Sequence, residues 1–520
     1  MGNKEIAIRQ NDYILLFLFC LMNQDYDTFL KLYKEIVVLN SAQSILQWDM
    51  ETKMPTKGIK RRSEELSLLS VLSHQKITNP IFQDLIQNIK HSMEYNTNTI
   101  VKRNIDLFVK DYEKATKLPE EFVAEQSKQI PISVDAWKKA KAKRDFSIFK
   151  DHLAKNIELA KRKAKYINPA LPVYDVLLDD FEPNMPEKKI APIFEKLKNE
   201  LVPLVKKCAD ASDKPNISFL SRKVPVSVQE EIGALLMKFV GLDPEASRLD
   251  TTEHPFTTGS YGDVRITTHY YEDKAISSIY SVLHEAGHAL YELNLNPDWE
   301  YQPIGTACSF GIHESQSRMI ENLIGKSYEF WEYFYPIFKK LTGNIFEDIS
   351  CEEFWRAVNY VTPSKIRIEA DEVTYSLHII LRFEMEREIF AEKHTINELP
   401  AVWNEKTKQM FGIDVEHDSD GIMQDTHWAS GYFGYFPSYA LGNVYNAQQY
   451  SLLKQAIPNY KEIIKSGDIT PIRTWLKEKI HNNSNMYDPA DLMKSITNKD
   501  LDASDFVEYL KGKCKKIYNL

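Results

Sequence analysis

Long stretches of the chain set apolar residues three and four apart among polar ones, as in Leu153, Ile157, Ala160 and Ala164 between lysines. That spacing predicts amphipathic helices and a mainly α fold. Ser227 with Glu230 reads as a capping box, the apolar stripe from Ile232 to Val240 as the helix it opens, and Gly241 as its left-handed cap. Prolines at Pro169, Pro172, Pro183, Pro186 and Pro192 exclude one continuous helix, so a lobe boundary is expected near 169–192. Val173 to Leu178, inside it, is too apolar for a solvated linker. One segment breaks the helical rule. From Asp263 to Tyr271, Val264, Ile266, Thr268 and Tyr270 alternate with Arg265, Thr267, His269 and Tyr271. This is strand periodicity, and it puts Arg265 on one face with Thr267 and His269.

Composition narrows the function classes. With 43% hydrophobic residues the 520-residue chain can bury a large core, and 65 Lys+Arg against 74 Asp+Glu leave a net charge of -9. No overall field draws a phosphate backbone or an anionic membrane, which argues against nucleic acid and membrane partners. The basic runs Lys138 to Arg144 and Lys161 to Lys165 read as solvated helix faces. Five cysteines (Cys20, Cys208, Cys308, Cys351, Cys514) without paired spacing fit a reducing, cytoplasmic compartment. The apolar run Tyr13 to Met22 is about half the roughly 20 residues that span a bilayer. Asn23, Gln24, Asp25 and Tyr26 follow it, not a small-residue cleavage site. Ile6 stands where N-myristoylation of Gly2 wants Ser or Thr. Residues 1–21 are therefore expected to be an extension of unknown role, with Met22 a candidate start.

The chemistry concentrates in HEAGH, His284 to His288. Two imidazoles one helical turn apart can reach one zinc ion, and chance would produce His-Glu-x-x-His only about 0.03 times in such a chain. Ile276, Ile279, Val282, Leu283, Ala286 and Leu290 supply the apolar stripe of a helix expected over 275–295. A catalytic zinc takes three protein ligands and water, so a third donor must follow. Glu314 fits, on the polar side of a second amphipathic helix defined by Ile312, Met319, Ile320 and Leu323. Glu292 is the competing donor, more suited to supporting a ligand. Glu285 lies beside the metal as general base for water attacking a carbonyl. Between Gly421 and Gly442, Gln424, His427, Tyr432, Tyr435 and Tyr439 offer hydrogen-bond donors to an oxyanion.

In order along the chain stand His254-Pro255-Phe256, then Asp263, Arg265 and Thr267 as D-x-R-x-T, then HEAGH and His313-Glu314-Ser315-Gln316. Ile366-Arg367 with Ala370-Asp371 follow as I-R-x-x-A-D, and Gly421, Gln424-Asp425 and His427-Trp428 as G-x-x-Q-D-x-H-W. With Trp48-Asp49, Met54-Pro55, Tyr174-Asp175 and Leu178-Asp179 upstream, the chain from about Met22 onward resembles the carboxypeptidase Taq family of zinc metallocarboxypeptidases. Asn184 departs from the pattern, where a Gly is expected after Glu182-Pro183. The resemblance implies a single helical domain of two lobes around a deep active-site groove, with a small β element beside the zinc helix, usually as a homodimer. It implies release of C-terminal amino acids from peptides with broad specificity, zinc on His284, His288 and Glu314, Glu285 as base, and Arg265, Arg367, His427 and Tyr435 facing substrate. Cobalt or manganese are possible substitutes for zinc. Elementary chemistry supports the arginines separately, because a free α-carboxylate is best held by a fixed guanidinium. Glu369 and Asp371 are the nearest competing partners of Arg367. An extended substrate is expected along the edge of the Asp263 to Tyr271 strand. A zinc endopeptidase or peptidyl-dipeptidase is the alternative; a peptide-binding scaffold is disfavoured because Glu285, dispensable for binding metal, is present.

Overall fold

The computed structural model describes residues 2–520, with side chains from Gln24 onward. The side chains of Tyr13 to Met22 lie outside the described residues. Contacts divide the chain into two units, the first of residues up to Lys117 with 295–306 and 483–486, the second of 118–294, 307–482 and 487–520. The division falls between Lys117 and Leu118, and the proline-punctuated stretch 169–192 lies inside the second unit. Within that stretch Val173–Leu178 is a short helix with Tyr174, Val176, Leu177 and Leu178 all buried. Its apolar character serves packing. Asn184 has φ 58°, which explains why a glycine is expected there, since Asn tolerates the left-handed region best among side chains with a Cβ.

In the first unit a helix over Gly2–Thr52 packs on helices Ile59–Ile77, Ile81–Lys90 and Thr99–Lys117. Tyr26, Phe29, Ile36, Phe82, Leu85, Ile89, Val101, Ile105 and Phe108 form their shared core. Asn104, buried among these apolar groups, donates to Tyr26 Oη and Gln302 Oε1 and accepts from the Ile304 amide, so its burial leaves no amide atom unpaired.

The second unit is also mainly helical, with one small sheet. Strands β1 (Ser247–Thr251), β2 (Thr257–Ser260) and β3 (Asp263–Thr268) lie in the order β1-β3-β2, β3 parallel to β1 and antiparallel to β2. The predicted strand is thus real but three residues shorter. It is also central, so the edge expected there for a substrate is already paired on both sides; β2 is an edge strand instead. The helix Val226–Val240 ends on Gly241 at φ 78°, as expected, with Leu242 N–H returning to Met237 O at 3.1 Å. Its capping box is absent. Pro225 occupies the N-cap and Val226 already begins the helix, so Ser227 falls within the first turn. In the second basic run Lys161 pairs with Glu392, Arg162 with Glu125 and Lys163 with Asp180, each at 2.7 Å, and in the first Lys139 pairs with Asp135 at 2.6 Å. Lys141 differs, turning in to donate to Gln424 O at 2.9 Å. Among the described residues no helix is long and apolar enough to cross a membrane.

Candidate active site

HEAGH sits in an unbroken helix, Ala275–Leu293, with Ile279, Val282, Leu283, Ala286 and Leu290 of the expected stripe buried and Ile276 half-buried. A second helix, Phe310–Arg318, crosses it closely. A Cβ at Gly287 would stand 2.5 Å from Gln316 O and 2.6 Å from Ser317 Cα, so the glycine between the two histidines is what lets Glu314 approach them. Gly442 does the same from the helix Phe436–Ala456, where a Cβ would meet Glu314 Cγ at 2.6 Å. Gly287→Ala should cost about 1–3 kcal/mol of stability by overpacking, read as a lower Tm together with weaker metal retention.

His284 Nε2 lies 3.6 Å and His288 Nε2 3.5 Å from the same oxygen, Glu314 Oε2. All three donor atoms fall within 4.8 Å of one another. Tetrahedral ligands about 2.1 Å from zinc stand about 3.4 Å apart, close to these spacings. The outer hydrogen bonds assign the tautomers. His284 Nδ1 faces Glu321 Oε2 at 2.8 Å, so Nδ1 carries the proton and Nε2 a lone pair. His313 Nε2 likewise gives its proton to Glu292 Oε1 at 2.8 Å, leaving His313 Nδ1 to accept from His288 Nδ1 at 2.5 Å. His288 Nε2 then also presents a lone pair. Two imidazole lone pairs and a carboxylate converge without a proton between them, a donor set that suits a divalent cation.

Arg318 Nε donates to Glu314 Oε1 at 2.7 Å, and Ser317 Oγ to Oε2 at 3.1 Å. Burial would raise the Glu314 carboxyl, but the Arg318 guanidinium overcomes it and holds the group well below the usual carboxylate range. Burial pushes the His288 imidazole down to about 3, keeping it neutral as a ligand must be. Past Arg318 the chain loosens into a π-helical segment, Met319–Ile324, with Gly325 N–H reaching Ile320 O at 2.8 Å. That segment carries Glu321, which ties His284 to Arg318 Nη1 at 3.0 Å. Such segments gather at functional sites, and nothing in the apolar spacing foretold this one.

Glu285 is buried, and Thr257 Oγ1 of β2 donates to its Oε2 at 2.6 Å. Burial raises its carboxyl from the ordinary value, against the pull of His284 and Thr257. These groups line a pocket of about 360 Å³ with Pro255, Phe256, Phe310, Ser438, Tyr435 and Tyr439.

Of the four residues expected to face substrate, Tyr435 lines this pocket. His427 is half-buried and not among the pocket's walls, with Nε2 3.5 Å from Tyr439 Oη and its imidazole lowered to about 4 by desolvation. Arg367 stands behind Tyr439, its guanidinium 5.2 Å from that ring's centroid. Its carboxylate partner is neither Glu369 nor Asp371 but Asp425, at 2.9 Å, which Arg382 also holds at 2.5 Å. Arg265 forks onto Asp263 with two hydrogen bonds of 2.9 Å and is not among the pocket's walls. The segment bearing His427 and Tyr435 is clamped by buried side chains far off in sequence. Asn156 donates to Trp428 O and Ala429 O, and Glu386 accepts from Trp428 Nε1, Gly434 N–H and Tyr174 Oη. Thr257, Glu321, Asn156 and Glu386 escaped sequence reasoning, because none carries a local spacing that marks it.

Residues 28–514 match the family described as carboxypeptidase Taq (M32) metallopeptidase. Thermostable carboxypeptidase 1 of Pyrococcus furiosus is 38% identical over 495 residues, covering 94% of this chain and 98% of its own. Carboxypeptidase 1 of Bacillus subtilis is 37% identical over 493 residues, covering 95% and 98%. The crystal structure of the M32 carboxypeptidase from Deinococcus radiodurans matches with a TM-score of 0.93 at 32% identity, over 96% of this chain and all of that one. With HEAGH and Glu314 gathered as they are, this chain belongs to the carboxypeptidase Taq (M32) family and is a metallocarboxypeptidase.

Proposed function

We propose that the chain is a zinc carboxypeptidase of broad specificity, with His284, His288 and Glu314 as ligands and Glu285 as general base. The convergence of two imidazole lone pairs on one oxygen of Glu314 carries this reading. When bound, the ion supplies Lewis acidity, acidifying a water toward a pKa of about 7 and polarising the scissile carbonyl. Glu285 takes the proton of the attacking water at the oxygen Thr257 steadies, then gives it to the leaving amine. Tyr435 and Tyr439, which line the pocket, serve as donors for the oxyanion, with His427 Nε2 3.5 Å from the Tyr439 hydroxyl. An extended peptide pairs with the edge of β2, the strand that touches Glu285. Cobalt or manganese can occupy the same N2O set. Homodimeric assembly belongs to the proposal by family likeness. So does a cytoplasmic setting, which Cys208, Cys308, Cys351 and Cys514, none of them in a disulfide, favour.

The carboxylate anchor is Arg367. One Asp425 serves both Arg367 and Arg382, leaving this buried group with a surplus positive charge beside Tyr439. Arg265 on β3 is the second cation of the substrate region. Mass analysis of products from a free peptide and its C-terminally amidated twin tests the reading: single C-terminal residues should come only from the free form, and a chelator should stop the reaction. Arg367→Ala should slow the free peptide roughly 30-fold, the effect of losing a desolvated charge contact, while Arg382 keeps Asp425 paired and the fold intact. Internal cuts or dipeptides, equally fast on both peptides, would replace this reading with an endopeptidase or peptidyl-dipeptidase.

A further inference from the structure

Phe310 is an apolar ring placed where burial would be expected and is absent. It opens the Glu314 helix, is 50% exposed, and borders the same pocket as His284, His288 and Glu314. It does not hang loose. Its ring stands edge-on to Phe181 at 5.6 Å and to Tyr435 at 5.4 Å, and Phe181 meets Tyr435 at 4.9 Å, a closed set of three rings in favoured edge-to-face contact. Tyr432, 54% exposed, extends the set through Phe181 at 6.5 Å.

The backbone beneath is fixed as firmly. Phe310 N–H donates to Phe181 O at 3.2 Å. The next residue of that strap, the fully buried Glu182, accepts from Ser309 Oγ and Gly311 N–H, both at 3.0 Å, and from Tyr445 Oη at 2.8 Å. One carboxylate thus holds the residues on both sides of Phe310. A Cβ at Gly311 would lie 2.6 Å from Glu182 Oε2, so the strap has no slack. Single exposed apolar side chains are ordinary on a protein surface. A half-exposed ring flanked by Phe181 and Tyr435, on the wall of the pocket that also holds Glu285 and Glu314, is built to receive something apolar. No lysine or arginine is among the pocket's described walls, whereas Glu285 and Glu314 are, so an acidic side chain laid against these walls meets like charge, and Arg367, behind Tyr439, is taken by the α-carboxylate.

We propose that Phe310, with Tyr435 and Tyr432, forms the side-chain subsite of this enzyme and gives it a preference, within a broad range, for an aromatic or large apolar residue next to the scissile bond. The proposal rests on the peptidase reading of the same pocket. Phe181 and Glu182 are positioning residues for it.

Two peptide series decide the matter with the metal-loaded enzyme: one varies the C-terminal residue through Phe, Leu, Gly and Glu, the other varies the residue before it. The wild type should favour Phe over Gly and Glu by roughly tenfold or more in kcat/KM in one series, expressed mainly in KM. In Phe310→Ala that ratio should fall toward one, and in Phe310→Leu, which keeps an apolar filling, Leu should overtake Phe. A ratio unchanged in both variants, or a uniform loss over all peptides at the same Phe-to-Gly ratio, overturns the subsite. If the wild type cuts internally, the carboxypeptidase reading falls, and the subsite is judged by the same ratio at the residues flanking the internal cut.

Discussion

Glu285→Gln should lose between about 100- and 10,000-fold in turnover while keeping its metal, the usual range for removing a general base. The substitution is unusually clean here. Thr257 Oγ1 donates to Glu285 Oε2, and an amide oxygen can accept that same bond, so the side chain has no reason to leave its place. Neither oxygen of Glu285 belongs to the converging donor set, which is completed by Glu314. What the amide lacks is a site that takes a proton near neutral pH. Burial, which raises the carboxyl of Glu285, suits it to that exchange by bringing its proton affinity closer to the working pH. The check is paired: steady-state turnover beside metal content of the same sample. Near-normal turnover with metal in place would remove Glu285 from the mechanism. Lost turnover with lost metal would make it a support for the ligands instead.

The helix bearing HEAGH was legible because its chemistry and its packing repeat with one period: histidines four apart on one face, aliphatics at three- and four-residue steps on the other. Glu314 was legible for the same reason. Most of what escaped was decided by contacts distant in sequence. Proximity pointed to Glu369 and Asp371 as partners for Arg367, yet Asp371 caps the helix Glu372–Phe390, accepting from Val373 N–H and Thr374 N–H, and Asp425 takes the guanidinium from far along the chain. A carboxylate near an arginine in sequence has its own backbone obligations first. Ser227 and Glu230 fit the letters of a capping box, but the proline before Val226 had already set the start of the helix. The alternation in 263–271 marked a strand, and no alternation says how many neighbours a strand will have, so its central place in the sheet was beyond reach. The π-helical segment after Arg318 is likewise set by packing, since Glu321 must reach His284 while Glu314 faces both histidines.

Glu292 and Glu314, the two carboxylates left in competition by the sequence, should separate sharply by metal affinity. Glu292 touches the site only through His313, accepting from Nε2 and so leaving Nδ1 to receive the proton of His288. Its loss frees the tautomers of two histidines, and disturbing such an outer partner commonly weakens a metal site about 10- to 100-fold. Glu314 supplies a donor oxygen that both Nε2 atoms face, so Glu314→Ala takes away the proposed third ligand and should weaken metal binding by more than the roughly hundredfold ceiling of an outer partner. The fold should survive it. Arg318, which loses the bond to Glu314, keeps Glu321 at 3.0 Å and its place over the Tyr375 ring at 4.3 Å, so no buried cation is left bare. Thermal unfolding of the metal-free forms separates any loss of fold from loss of binding, and competitive titration against a chelator gives the affinities. If Glu314→Ala binds like the wild type while Glu292→Ala does not, the third ligand is Glu292 and the helix crossing at Gly287 serves packing alone.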